Sequence, residues 1–253
     1  MPSASPGFCP SGDSLKFMST GKDIVPDPKR LEHWLRRGAH DLRGNVATIE
    51  FALQGLKRFS PEGGGIPQGE VLEILRRRTG VLKGDIDQLF LFLRLSLVPP
   101  PDPKEAADTT PDRVMASVLQ EIPEGQRNRL PAAAECGSRQ QMPGFLALAA
   151  LLPVVRNALQ YGSGPIGISC TEVGEALVID VSNRGPGIPA EERETIFEPF
   201  VRGVQTKPQP GMGLGLAVAR LAAARIGGTV ELISATAHDT RFRLQLSLTT
   251  PGS

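Results

Sequence analysis

One histidine in the sequence stands in a setting that permits chemistry. His40 is followed at once by Asp41, within the run Ala39-His40-Asp41-Leu42-Arg43-Gly44-Asn45. An exposed, neutral imidazole is a competent nucleophile, and a neighbouring carboxylate can take its second proton as a bond forms. The remaining histidines, His33 and His238, lie in no register that suggests catalysis or metal binding, and read as structural or solvated. Two glycine-rich segments carry the second signal. Asn183-Arg184-Gly185-Pro186-Gly187-Ile188 follows a β-rich run, and Gly211-Met212-Gly213-Leu214-Gly215-Leu216 opens an Ala-rich helical stretch. Glycines let backbone N–H groups approach phosphate oxygens, and a helix start favours negative charge. Either segment alone is equally an ordinary loop or helix cap. The ordered pair is stronger, with Asn157 upstream and Phe197-Glu198-Pro199-Phe200 between, and points to a phosphate-bearing ligand.

These residues need elements to position them. Asp27-Pro28 is a helix start, an N-cap acceptor followed by proline at the first helical position. From there to about Phe59 apolar residues fall at Leu31, Leu35, Ala39, Leu42, Val46, Ile49, Leu53 and Leu56, in alternating steps of three and four. Such a helix is about 48 Å long. Its seam leaves His40 pointing away from the packed side. The run Ser60 to Pro67 breaks the pattern, a second periodic segment runs through Leu75, Leu82, Ile86, Leu89, Leu93 and Leu97, and Pro99-Pro100-Pro101 stops it. The two segments predict an antiparallel hairpin that cannot bury its own seam, so a homodimer forming a four-helix bundle is expected. Residues 1–26 read as a flexible tail, 27–98 as the hairpin, 99–110 as a stiff polar linker, and 111–250 as a second domain. In that domain helical character at Val114–Gln120, Pro143–Leu159 and Leu214–Arg225 alternates with β-rich runs. These are Ile166–Thr171, Ala176–Ser182, Thr229–Ser234 and Thr240–Leu248, the first two forming a hairpin. The fold class is therefore multidomain: an α hairpin, then an α/β sandwich with helices on one face of a mixed sheet.

Bulk properties narrow the function classes. Lys and Arg total 28 against 27 Asp and Glu, a net charge of +1, which argues against a broad basic face for nucleic acid. The three cysteines, Cys9, Cys136 and Cys170, form no CxxC pair, which argues against a disulfide framework or zinc site and for a reducing compartment. No run of ~20 apolar residues is present, and the N-terminus lacks a basic segment followed by an apolar one. A soluble, cytoplasmic protein with no membrane insertion is expected.

The ordered segments resemble the motifs of a sensor histidine kinase whose catalytic domain is of the ATP-binding kind shared with gyrase, Hsp90 and MutL. The H box is His40-Asp41-Leu42-Arg43, the N box Val155 to Tyr161, the first glycine box Asn183 to Ile188, the F box Ile196 to Phe200, and the second glycine box Gly211 to Leu216. The resemblance covers about residues 28–248. It implies a histidine-phosphotransfer hairpin followed by a Bergerat-type ATP-binding sandwich, with ATP and Mg²⁺ as cofactors. Its partners would be a second copy of the chain, the receiver domain of a response regulator, and room for a separate sensor or regulator protein. By the same resemblance His40 would accept the γ-phosphoryl group and Asp41 would act as its base. Asn157 would hold Mg²⁺ and Tyr161 would line the nucleotide site. Asn183, Gly185 and Gly187 would shape the adenine pocket, Arg202 would reach the phosphates, and Gly211, Gly213, Leu214 and Gly215 would cradle them. Residues 201–212, with Lys207, would form a lid. Receiver specificity would lie in exposed hairpin residues such as Glu50, Gln54 and Arg94.

Several positions depart from the family pattern. Asn183 stands where the family usually has Asp, which removes charge assistance from a hydrogen bond to the adenine amino group. Pro153 replaces an Asn one turn before Asn157, and Gln160 replaces a frequent Lys. Gly44 stands where Thr or Asn supports dephosphorylation of the partner. These departures keep a second reading open, a non-enzymatic phosphotransfer protein with a degenerate, ATP-blind domain. An ATPase or serine kinase of the same superfamily is a third, and it would not need His40. A plain coiled-coil module would leave the glycine boxes unexplained.

Overall fold

The computed structural model describes residues 28–57, 68–99, 106–131, 135–203, 211–236 and 238–248. The expected tail, the break at 60–67, residues 100–105 of the expected linker, and Lys207 with the middle of the expected lid lie outside the described residues.

Two long helices come first, α1 (Pro28–Lys57) and α2 (Gln68–Leu97), each of 30 residues, and they pack on one another. Gly38 and Ala52 of α1 are buried, as are Val71, Phe92 and Leu95 of α2. Much of the apolar seam is not. Leu35, Val46, Phe51 and Leu53 on α1 and Leu72, Ile86 and Phe90 on α2 remain exposed, Phe51 at 75% and Phe90 at 68%. Large apolar side chains thus lie exposed along both helices.

The rest of the chain forms α3 (Pro111–Glu121), a single turn α4 (Glu124–Arg127), α5 (Gly144–Tyr161), β1 (Ser163–Val173), β2 (Ala176–Arg184), α6 (Gly215–Arg225), β3 (Thr229–Ala235) and β4 (Thr240–Ser247). The strands lie in the order β1-β2-β4-β3, and every neighbouring pair is antiparallel. The mixed sheet expected from the sequence is thus corrected. Strand alternation specifies which faces are buried but not the direction of a neighbour, which tight connections such as the two-residue turn at Gly174-Glu175 decide. β2 and β4 bury alternate residues: Leu177, Ile179 and Val181 on one, Phe242, Leu244 and Leu246 on the other. Helices α5 and α6 pack together and against the sheet, closing the core. α5 is apolar and long enough to cross a membrane by length and composition, yet half of it is buried in this core, with Leu151, Val154 and Val155 fully enclosed.

Helices and sandwich meet at a defined junction. Trp34 of α1 sets its ring edge-on to Phe92 of α2 at 5.6 Å, and Phe92 does the same to Phe200 at 6.3 Å. Arg225, at the end of α6, donates to the Val98 carbonyl at 2.6 Å and to the Leu95 carbonyl. Leu95 is among the last four residues of α2, whose carbonyls the helix leaves without intrahelical donors.

Cys136 and Cys170 form a disulfide, which overturns the expectation of isolated cysteines. The pairing was invisible because 34 residues and all of α5 separate the two. They meet only because the loop before α5 folds onto β1, where Gln140 donates to Glu172 at 2.7 Å and Asp112 receives the Cys136 N–H at 2.7 Å. Cysteine usage therefore no longer speaks for a reducing compartment. A cross-link of that span restrains the unfolded chain by about 3–4 kcal/mol in the chain-entropy account. Reduction, or Cys136→Ser, is expected to lower the thermal midpoint on the order of 10 °C, read by calorimetry with and without dithiothreitol.

Candidate functional site

The last two and a half turns or so of α5 supply the first wall of a cleft. Its C-terminus is held by Arg129, whose guanidinium donates to the carbonyls of Leu159 and Gly162 at 2.8 Å and of Gly164 at 2.9 Å. With the buried face of α5 turned to the sheet, the opposite face presents Pro153, Arg156, Asn157, Gln160 and Tyr161 to the cleft. Burial pushes the Tyr161 phenol above its ordinary pKa, and the charge of Arg202 partly opposes that shift.

The sheet contributes the floor. Asn183 ends the inward row of β2, pairs with Thr240 of β4, and is only 7% exposed. After β2 the first glycine segment turns at Gly187, whose φ is +77°. Two short 3-10 turns follow, at Ala190–Glu192 and Thr195–Phe197. Phe197 packs edge-on against Phe242 at 6.1 Å, and Arg220 lies over its other side at 4.1 Å. Phe200 is fully buried at φ +63°, a conformation that disfavours a side chain by about 1–3 kcal/mol and persists only where the surroundings impose it. Here its N–H donates to the Gly213 carbonyl at 3.0 Å, fastening the F box to the second glycine segment.

That segment leaves no room for a side chain at Gly213. Its φ is +74°, and a Cβ there would lie 2.5 Å from the Val201 carbonyl oxygen. Met212 is buried, and its N–H donates at 3.0 Å to Asp85 of α2. Asp85 also accepts from the Asn45 amide at 3.0 Å. Its carboxyl is raised above the usual carboxylate range, because burial outweighs those two hydrogen bonds. The second helix thereby forms one side of the cleft, through Gly80, Val81, Gly84, Asp85 and Gln88. The whole cleft holds about 330 Å³.

Of the residues singled out in the sequence, Asn157, Tyr161, Asn183, Gly187, Arg202, Gly211, Gly213 and Gly215 come together as its lining. Gly185 and Leu214 are not among the lining residues. Gly185 faces the Tyr161 carbonyl, and Leu214 is fully buried at the start of α6. His40 and Asp41 lie outside the cleft on α1. The His40 side chain is 86% exposed, with Nδ1 3.3 Å from an Asp41 carboxylate oxygen. Two residues earlier, Gly38 meets the F box so closely that a Cβ would come within 2.7 Å of the Phe200 ring. The sequence reading missed Asp85 and its neighbours on α2. Asp85 lies in a helix interior, 127 residues from its hydrogen-bond partner. The one available signal was a charged residue one position before Ile86, in a segment read only for its apolar spacing.

Residues 147–250 match the family described as histidine kinase-, DNA gyrase B-, and HSP90-like ATPase. The chain is similar to the sensor histidine kinase GlrK of Escherichia coli strain K12. The two are 38% identical over 265 residues, covering 93% of this chain and 53% of that protein. The chain thus spans about half the length of GlrK, and a smaller share of the sensor proteins KdpD and DctB. In fold it is similar to the Acinetobacter baumannii histidine kinase AdeS, with a TM-score of 0.59 at 20% identity over 83% of this chain and 98% of that one. It is also similar to the histidine kinase ThkA, solved in complex with the response regulator protein TrrA. There the TM-score is 0.65 at 18% identity, over 89% of this chain and 65% of that one. At such identities the likeness is one of fold.

Proposed function

We propose, on the premise that this chain is homologous to sensor histidine kinases and carries a histidine kinase-, DNA gyrase B-, and HSP90-like ATPase region at residues 147–250, that it moves the γ-phosphoryl group of ATP to His40. From there the group passes to an aspartate of a response regulator. The observation that carries this reading is the convergence of Asn157, Tyr161, Asn183, Arg202 and the glycines of both boxes on one open cleft. It lies in a unit whose Phe200 packs against Gly38 of α1, two residues before the exposed His40. Residues 27–98 would then be the dimerisation and phosphotransfer unit, 111–250 the catalytic unit, and the stretch between them the joint that lets one reach the other.

The chemistry follows from the donors present. Asp41 holds the Nδ1 side of His40, leaving Nε2 free to attack. The new bond forms between Nε2 and the γ-phosphorus, the bond from phosphorus to the bridging oxygen of ADP breaks, and the Nδ1 proton passes toward Asp41. Arg202 and the backbone of the second glycine segment would neutralise phosphate charge, which together with positioning is most of what phosphoryl transfer asks of a protein. Among the described residues no group of three or more His, Cys, Asp or Glu is placed to hold a metal. Asn157 offers one side-chain oxygen, which suits Mg²⁺ completed by phosphates and water. When bound, that ion would offset charge on the phosphates. ATP as phosphoryl donor is also the basis for placing the chain in the cytoplasm.

The exposed apolar seam supports a homodimer, in which two hairpins bury it as a four-helix bundle. Phe51→Glu combined with Phe90→Glu is expected to leave a folded monomer, read by analytical ultracentrifugation against a wild-type dimer. A response regulator would dock on the hairpin near His40, where Glu50, Gln54 and Arg94 are exposed. The histidine kinase ThkA, similar in fold, was solved in complex with a response regulator protein. The decisive experiment is incubation with γ-labelled ATP and Mg²⁺, followed by acid treatment. Phosphohistidine loses its label in acid and phosphoserine keeps it. A phosphotransfer protein with an ATP-blind domain would take up no label.

A further inference from the structure

Resting on the reading of the cleft as a nucleotide site, we propose that the base pocket at Asn183 does not distinguish 6-aminopurine from 6-oxopurine nucleotides. Triphosphates of the second class would then enter it as readily as ATP. The inward row of β2 runs Leu177, Ile179, Val181, Asn183, so the only polar member of that row stands where the row meets the cleft. Asn183 is 7% exposed, and its carboxamide hydrogen-bonds to no side chain or backbone group among the described residues. The carboxamide lines the cleft, so its donor and its acceptor are both available to a ligand there. The space around it is kept open by two glycines. A Cβ on Gly162 would sit 2.9 Å from Asn183 Nδ2, and one on Gly185 would sit 3.2 Å from it.

The chemistry of the carboxamide sets what it reads. It carries an acceptor oxygen and a donor NH₂ side by side. The edge of a 6-aminopurine offers a donor at the amino group and an acceptor at N1. A 6-oxopurine offers an acceptor at O6 and a donor at N1–H. Turning the amide over matches either edge with two hydrogen bonds. No hydrogen bond among the described residues fixes which way round the Asn183 amide sits. A carboxylate at this position would only accept, so it would favour the amino edge and oppose O6. A site that leaves a buried polar group unpaired against the wrong ligand rejects it strongly, and one that satisfies both ligands cannot.

The test is competition of ATP and ITP for the full-length chain, in Mg²⁺, against a fluorescent ATP analogue. ITP carries the 6-oxo edge without the 2-amino group of guanine, so it isolates the edge. The expected result is an ATP-to-ITP affinity ratio within about tenfold for the wild type. In Asn183→Asp the ratio should rise by at least a further tenfold or so. A wild-type ratio above about a hundredfold, or a ratio that Asn183→Asp leaves unchanged, overturns the proposal while leaving the kinase reading intact. If neither nucleotide displaces the analogue and the analogue itself does not bind, the nucleotide reading of the cleft fails instead.

Discussion

Replacing His40 by Gln is expected to remove all acid-labile label from the chain incubated with γ-labelled ATP, a loss of at least about a thousandfold. Affinity for ATP should stay within about twofold of wild type, because His40 does not line the cleft. The fold should be untouched as well. The side chain is 86% exposed, and exchanging one exposed polar residue for another usually changes stability by less than about 0.5 kcal/mol. An amide cannot replace the lone pair that Nε2 brings to phosphorus, so the effect is on the acceptor alone. Asp41→Asn is the companion measurement. It keeps the shape beside Nδ1 and removes the proton acceptor, with an expected loss of about 10²–10⁴ in transfer rate. If the His40→Gln chain still takes up label, the acceptor has been misassigned.

The second large effect is expected from Asn157→Ala. Alanine suits a helix better than asparagine, so α5 should keep its shape. Arg129 would still hold the end of that helix through the Leu159 and Gly162 carbonyls. What disappears is the Asn157 side-chain oxygen in the cleft. Loss of a metal-positioning ligand costs about 10–100-fold in affinity or activity, and more where the metal neutralises charge in the transition state. Labelling at saturating ATP should therefore fall by about a hundredfold or more. The Mg²⁺ concentration needed for half-maximal rate should rise with it. Asn157→Asp keeps an oxygen at that place and should recover part of the loss. A variant whose Mg²⁺ dependence is unchanged would remove Asn157 from the metal's coordination.

Much of this site could be read from the sequence because its parts are local. A glycine pair after a strand and another before a helix are marked by residue type, and both boxes border the cleft. Helix starts were legible for the same reason: Pro28 opens α1 as its identity requires. α2, by contrast, begins at Gln68, a turn and more before the apolar repeat becomes regular at Leu75. α5 runs through Pro153, which a local rule would treat as a break. There the buried apolar face outweighs one lost hydrogen bond. What stayed hidden was whatever depends on two distant pieces meeting. The Cys136–Cys170 bond, the antiparallel order of the strands, and the wall that α2 lends to the cleft all arise from packing across tens of residues. Asp85 is the clearest case. Its neighbours in sequence describe an amphipathic helix, and only the docking of Met212 against it gives the carboxylate a task.

The grip of Arg225 on the final carbonyls of α2 ties the two units together where the covalent connection is not needed. One end of α6 is thereby fastened to α2, and the other, at Gly215, borders the cleft about 15 Å away. A twist of α2 would therefore reach the pocket through α6 as well as through the α2 residues that line it, without passing along the connecting segment.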